Sequence, residues 1–387
     1  FCIIRSTQTG NIRWLVVFSL LIGVGFNIKM LVAFIPLPAF LLYHFLANRV
    51  TIGQSLTRIT LSIVILLCVS LSWIGTVAIV PPENRPYVGS TQDNSIWTLA
   101  LKYNGLNRFT SFIGPRQRQP VPVTQPGIIQ QNQPLRPPTI STDVGDSGIL
   151  SLLANPLSGQ FGWLLPLALF NLAVMFVYVI PERVYRQPAI FFELLRESPA
   201  ASQTILWGVW LTTAVMVFGL ANATTTHPYY LVGMAVPLAA VLGIGFSILL
   251  DTFKRGQKLS WLLPGMLIGS MTYQIYGSNG LISDWAVALT LGTLLPGTLI
   301  MIVAIWRQLT AEPLSRIGVV IGIISVLIIP LATALTSGDR ITGPSMATQR
   351  PNFAATEMRE SDPVNTISSF ITDQGDSGSV FMVGTVN

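Results

Sequence analysis

Charge is what this chain has least of. Its 387 residues include 22 lysines and arginines and 16 aspartates and glutamates, 10% in all, against 51% hydrophobic residues. Soluble domains carry roughly 25% charged residues. The composition therefore excludes an ordinary globular domain and indicates an integral membrane protein. Cysteine and histidine are scarcer still. Cys2 and Cys68 stand far apart, the second inside an apolar run, which excludes a disulfide framework. With His44 and His227 as its two histidines, the chain is not expected to hold zinc or another metal. Neither a phosphate-binding glycine loop nor a dinucleotide fingerprint occurs, so no nucleotide cofactor is expected. The formal charge of +6 does not imply nucleic acid, because basic residues of membrane proteins flank their spans.

What the chain has in abundance is apolar segments. A helix crosses a bilayer with about 20 apolar residues. Segments 61–80, 162–180, 204–221, 230–250, 285–306 and 318–335 qualify, and 261–276 is slightly shorter. Two more, 14–28 and 31–46, are separated by Lys29. They are expected to form a hairpin with Lys29 at its tip, since one continuous helix would bury that charge and contain Pro36 and Pro38. The expected fold is an all-α polytopic membrane protein of about nine spans. One set of loops holds Arg49 and Arg58, then Arg183, Arg186 and Arg196, then Lys254, Arg255 and Lys258, then Arg307 and Arg316. The short loops 222–229 and 277–284 hold no Lys or Arg. The positive-inside rule puts the first set in the cytoplasm. The long loop 81–161, the His227 loop and the tail after residue 335 then face outward.

Residues 1–335 read as the membrane region, within which the Gln- and Pro-rich stretch 114–148 is expected to be disordered. Residues 336–387 read as the incomplete start of an outward-facing α/β domain, with a helix near 364–371 and a strand near 379–384. The chain starts with Phe1 and shows no signal peptide, which is read as an internal fragment of a longer protein.

The least ordinary loop is 222–230, which places His227, Tyr229 and Tyr230 between two apolar segments. An aromatic belt at the bilayer boundary accounts for it; so do ring and hydroxyl groups that bond a phosphate or sugar. Lys29 has the same two readings, snorkelling to the surface or presenting an ammonium to an anionic headgroup. Arg85 and Arg108 are planar forks suited to phosphate, or solvated loop charges. Asp93 and Asp284 read as solvated acids, and His44 as a helix-end residue. Lys29, the Arg85 and Arg108 segments and His227 all fall on one face under an orientation derived from other residues.

Five blocks, GVGFNIKML at 23–31, RPYVGS at 85–90, YNGL at 103–106, GQFGWLLP at 159–166 and HPYY at 227–230, resemble the recurring blocks of bacterial family 39 glycosyltransferases. The resemblance is to the bacterial mannosyltransferase group, related to protein O-mannosyltransferases and the lipid A aminoarabinose transferase. It covers most of residues 10–335. It implies a C-type glycosyltransferase helix bundle, multi-pass in the plasma membrane. Such an enzyme takes a sugar, mannose-like or another, from a polyprenyl-phosphate donor to an acceptor on the extracytoplasmic face. It also implies direct displacement at the anomeric carbon, with no cofactor beyond the lipid-linked donor. Partners would be the bilayer, the polyprenyl-phosphate-linked sugar and an acceptor the resemblance leaves open. Its substrate-binding set would be Lys29, Arg85, Tyr87, Tyr103, Asn104, Arg108, His227, Tyr229 and Tyr230. The family's catalytic base, an acid in the first outer loop, would precede Phe1, so no catalytic residue is named. A polytopic transporter or lipid flippase, or a membrane scaffold, are the alternatives. The topology has a direct check: in a chain lacking Cys2 and Cys68, Gln257→Cys should react with an impermeant thiol reagent only from the cytoplasmic side, and Ser283→Cys only from the other.

Overall fold

The structure, a computed structural model, describes residues 1–89, 91, 93–103, 152–153, 162–179, 189–220, 228–278 and 284–342. The chain falls into two compact units, Phe1–Pro330 and Leu331–Asn387. Of the second, residues 331–342 are described, as the last turns of a helix that begins at Pro313. The stretch 114–148 and the expected tail helix and strand lie outside the described residues.

Among the described residues every regular element is helical: α1 (Cys2–Thr9), α2 (Ile12–Lys29), α3 (Leu37–Ala47), α4 (Ile52–Ile79), α5 (Leu165–Val179), α6 (Ala189–Glu197), α7 (Pro199–Leu220), α8 (Ala235–Lys254), α9 (Leu262–Ser278), α10 (Asp284–Trp306) and α11 (Pro313–Thr342). Short 3-10 turns lead into α3, α5, α8 and α9. Seven stretches of the described residues are long and apolar enough to cross a membrane: Ile12–Phe34, Ile52–Ile79, Gly162–Val179, Pro199–Leu220, Tyr230–Lys254, Asp284–Trp306 and Pro313–Leu335. The apolar helix α9 has 17 residues and α3 has 11, so the nine expected segments are all helical but two are short. The described residues are those of an all-α multi-pass membrane protein.

Local chemistry moves two expected boundaries. Thr51 and Gln54 form a capping box: Thr51 Oγ1 accepts from the Gln54 N–H at 3.3 Å and Gln54 Oε1 from the Thr51 N–H at 3.4 Å. The helix therefore starts at Ile52, not at residue 61, and Arg58 belongs to its early turns instead of a loop. Pro313 opens α11, a position where its missing N–H costs no helical bond. Two short helices, α1 and α6, were not expected. Each turns a few apolar residues inward, Ile3 of α1 and Leu195 of α6, at the end of the bundle that carries the basic loops.

The hairpin forms as expected. Phe18 of α2 meets Phe40 of α3 edge-to-face at 5.5 Å, and Phe26 stacks on Phe34 at 4.9 Å. The reversal falls at Met30, whose φ of 45° and ψ of −129° lie in a region L-residues rarely adopt, at a cost of about 1–3 kcal/mol. Opposite the hairpin, α2 is pinned to α4. Ser19 Oγ donates to the Leu15 carbonyl at 2.9 Å and meets Ser62 Oγ at 2.6 Å, both side chains fully buried. Two turns on, Asn27 Nδ2 donates to the Val69 carbonyl at 2.9 Å. Between them Gly23 lets the helices touch, for a Cβ there would stand 2.6 Å from that of Val69.

Lipid tails are as apolar as leucine, so helices in a bilayer associate through close packing and polar pairs. Large apolar side chains such as Leu21, Leu295 and Leu299 are accordingly exposed on the outside of the bundle. Inside, α10 and α11 approach through Gly297, Gly318 and Gly322: a Cβ on Gly297 would stand 3.0 Å from the Gly322 nitrogen and 3.1 Å from the Gly318 oxygen. Backbone cannot yield as a flexible side chain can. Gly297→Ala should therefore destabilise the detergent-solubilised protein by about 1–3 kcal/mol. Gly292→Ala, with nothing within 4 Å, should leave its unfolding midpoint unchanged or raised. Equal behaviour of the two would contradict this packing.

Candidate functional site

The pinned end of α2 delivers Lys29 to a defined place. Its ammonium lies 4.7 Å from the centroid of the Tyr230 ring. Tyr230 sits in the 3-10 turn Pro228–Met234 that leads into α8. Its side chain is buried among Leu152, Leu165, Phe218 and Met234. Two blocks two hundred residues apart in sequence thus meet at one point. A cation over a tyrosine face is attracted by the ring quadrupole, by about 0.5–2 kcal/mol according to exposure. The lysine remains exposed on its other side.

The segment after α4 closes over the same turn. Met30, Leu31, Ala33 and Phe34 pack against a cluster of Phe26, Ile74, Val88, Ile96 and Ala100. On the other side Val32 and Ile35 pack against the Tyr230 cluster. Residues 82–94 are stitched locally. Asn94, in the left-handed conformation at φ 50°, accepts from the Val88 N–H at 2.7 Å and donates to the Pro82 carbonyl at 3.0 Å. Asp93 caps the helical piece that follows, accepting from the Thr98 hydroxyl at 2.7 Å and the Ser95 N–H at 3.1 Å. The Thr98 bond, with smaller help from Ser95, holds the Asp93 carboxyl below the usual carboxylate range. This cap is thus fully formed above the ordinary carboxylate pKa and is lost as pH falls through the depressed one.

The expected site residues fall out differently. Lys29 and Tyr230 are brought together. Arg85 is half-buried, and its Nη1 donates to the Val77 carbonyl at 3.3 Å, capping the end of α4. Part of its fork is therefore taken by the fold, while its Nε is buried without a protein partner. Tyr87 is exposed, and its hydroxyl donates to the Thr91 carbonyl. Tyr103 ends the wide helical turn Thr98–Tyr103, and Tyr229 belongs to the turn Pro228–Met234, but both side chains lie outside the described residues. Asn104, Arg108 and His227 lie outside them altogether. Asp284 opens α10, where its charge suits the helix N-terminus. His44 is fully buried, with Nε2 3.2 Å from Asn48 Nδ2 and Nδ1 3.4 Å from Thr7 Oγ1. It is a structural histidine.

Sequence reasoning passed over Asn27, which sets the height of Lys29 by its bond to Val69. A polar amide inside an apolar run was the available signal. Among the described residues no group of three His, Cys, Asp or Glu side chains converges as a metal site requires. The Lys29–Tyr230 contact is measurable by a double-mutant cycle on unfolding in detergent. Lys29→Met and Tyr230→Leu should couple by about 0.5–2 kcal/mol, and Tyr230→Phe should retain most of that coupling. Additive effects would contradict the contact.

Comparison with known proteins adds to this geometry. The family profile described as dolichyl-phosphate-mannose-protein mannosyltransferase matches residues 1–73, which include α2, the Lys29 tip and most of α4. The chain is 25% identical to "Putative mannosyltransferase YkcB" of Bacillus subtilis (strain 168), over 99% of its own length and 62% of that protein's. It is 28% identical to "Putative mannosyltransferase YycA" of the same organism, over 90% of its own length and 58% of that protein's. It thus spans about three fifths of the length of these curated relatives. No solved structure matches the chain. The chain is thus similar to the dolichyl-phosphate-mannose-protein mannosyltransferase family over residues 1–73, and to these two proteins over nine tenths or more of its own length.

Proposed function

We propose that the chain is the membrane region of a glycosyltransferase that takes a mannose-like hexose from a polyprenyl-phosphate donor and transfers it on the non-cytoplasmic face. The observation that carries this reading is the exposed Lys29 ammonium, fixed over Tyr230 at the end of the bundle away from the basic loops. Such a cation matches a phosphate held at the headgroup level while its isoprenoid tail lies among the apolar helices.

Transfer by direct displacement needs three things at the anomeric carbon. An acceptor hydroxyl loses its proton to a base as its oxygen bonds to that carbon. The bond from carbon to the phosphate oxygen breaks, and the electron pair leaves with the lipid phosphate. Lys29 would stabilise the charge that grows on that phosphate, an interaction stronger in the transition state than in the bound donor. The buried Nε of Arg85 is a second donor of the right kind. Arg108 would be a further fork for the phosphate, and Tyr87, Tyr103, Asn104, His227 and Tyr229 would supply hydroxyl, amide and imidazole contacts to the sugar. The base role is assigned to none of the described acids: both carboxylate oxygens of Asp93 are taken by its cap on Ser95 and Thr98, and Asp284 opens α10. The bilayer is the partner that presents the donor; plasma-membrane placement belongs to the same proposal.

The test is transfer by the full-length protein in liposomes, from polyprenyl-phosphate mannose labelled in the sugar. Lys29→Ala should lower kcat/KM about 10²-fold, and Lys29→Arg should restore part of it, with unfolding midpoints close to that of the parent. Substrate movement across the vesicle without any glycosyl transfer would sink the proposal and favour a flippase.

A further inference from the structure

The other end of the bundle holds a cleft that the transferase reading does not use. It measures about 250 Å³ and lies where α1, α3, α6 and α7 meet. Arg49, Arg196, Gln203, Tyr43 and Ser202 line it, and Glu197 is the one acid among its lining residues. Lys29 ends α2, whereas the cleft adjoins the helix's start through Thr7 and Gln8 of α1. The 18 residues of α2 separate the two places by about 26 Å at 1.5 Å per residue.

We propose that this cleft binds a phosphate anion, either a phosphodiester headgroup of a lipid or a soluble phosphate. Four features of its lining converge on that chemistry. Arg196 is half-buried, and its Nε is buried without a hydrogen-bond partner. A guanidinium N–H removed from water is costly unless an acceptor reaches it. Arg49 and Arg196 have no carboxylate in ion-pair contact among the described residues, although Glu197 is adjacent. Gln203 receives the Trp207 Nε1–H on its Oε1 at 2.8 Å. An indole nitrogen only donates, so the atom it meets is the amide oxygen and the NH2 group is left for the cleft. The N-terminus of α7 at Pro199 completes the lining, adding its positive dipole end. Two guanidinium groups against one carboxylate leave the cleft net positive.

The cleft lies among the basic loops. Arg49 follows α3 and Arg196 is in α6, both in the set the charge rule assigns to the cytoplasm. The anion would therefore come from the cytoplasmic leaflet or the cytosol, not from the side on which the donor phosphate is proposed to sit. By tying α1, α3, α6 and α7 together it would brace the base of the Lys29 hairpin.

The experiment uses the full chain in a neutral detergent, with its unfolding midpoint followed against two probes, inorganic phosphate and the short-chain lipid dihexanoyl-phosphatidylglycerol. At least one should raise the midpoint in a saturable way. A response to the lipid alone identifies a headgroup, a response to phosphate alone a soluble anion, and a response to both the shared phosphate chemistry. Arg49→Gln and Arg196→Gln should each weaken the apparent Kd about tenfold. Arg255→Gln, which removes an exposed arginine paired with Asp251 elsewhere on the basic end, should not. Glu197→Gln should tighten binding about threefold by removing the opposing charge, a gain that misfolding cannot imitate. No midpoint shift with either probe, or an affinity unchanged in Glu197→Gln and in both arginine variants, overturns the proposal. Glycosyl transfer by Arg196→Gln should continue at the parent's rate in a neutral bilayer, so failure here is distinct from failure of the transferase reading.

Discussion

The seam between α2 and α4 is the contact on which the candidate site depends. No water is present in the hydrocarbon to drive leucines together, so a helix there holds its height and rotation only through close approach and polar pairs. Ser19 against Ser62, Gly23 against Val69, and Asn27 on the Val69 carbonyl supply three such fixings. They run over eight residues, about 12 Å of α2. Beyond them the helix stops at Lys29, and the unusual backbone at Met30 turns the chain back at once. A lysine on an unpinned helix would snorkel with a flexible stem. Here its stem is set by the helix, and the ammonium comes to rest on Tyr230.

That arrangement gives the molecule two unlike ends. At one, the Lys29 ammonium rests on the Tyr230 ring beside a turn packed between two apolar clusters. At the other, basic loops are tied to one another. Thr310 Oγ1 donates to the Lys254 carbonyl at 3.3 Å, joining the loop after α8 to the loop after α10. Arg49 and Arg196 share the cleft of α1, α3, α6 and α7. The alternation of charge along the sequence is thus a spatial segregation along the helix axes. The proposed transferase would draw its donor from one leaflet, and this polarity suits that role.

Much of the fold was legible because hydropathy is a strong signal and the bilayer permits little but helices. The nine apolar segments and the hairpin at Lys29 follow from length, proline placement and the cost of burying a charge. The start of α4 did not follow, although its signal, Thr51 with Gln54 three residues on, stood in the sequence; the basic Arg58 drew the boundary inward instead. The helices α1 and α6 are too short for hydropathy to reveal, and their apolar residues become meaningful only once α3 and α7 give them a surface to cover. Of the site, the charge map placed Lys29 and the HPYY block on one face, but nothing in the sequence put the lysine on the Tyr230 ring. The capping roles of Arg85 and Asp93 were not legible either, because a loop residue's hydrogen-bond partner depends on where the chain folds back. Met30's backbone carries no sequence signal at all, since nothing marks a methionine for positive φ.

The central claim is that Lys29 and Tyr230 frame the place where a polyprenyl phosphate presents its headgroup. A polyprenyl phosphate with a photoreactive group in the isoprene unit next to the phosphate tests it, irradiated with the full-length protein in a bilayer and followed by peptide mapping. The account predicts label concentrated in peptides that carry residues 23–35 and 228–234, displaced by excess unlabelled polyprenyl phosphate. Displaceable label confined to peptides of the basic-loop end, or spread evenly over the lipid-facing surfaces of the helices, would contradict it.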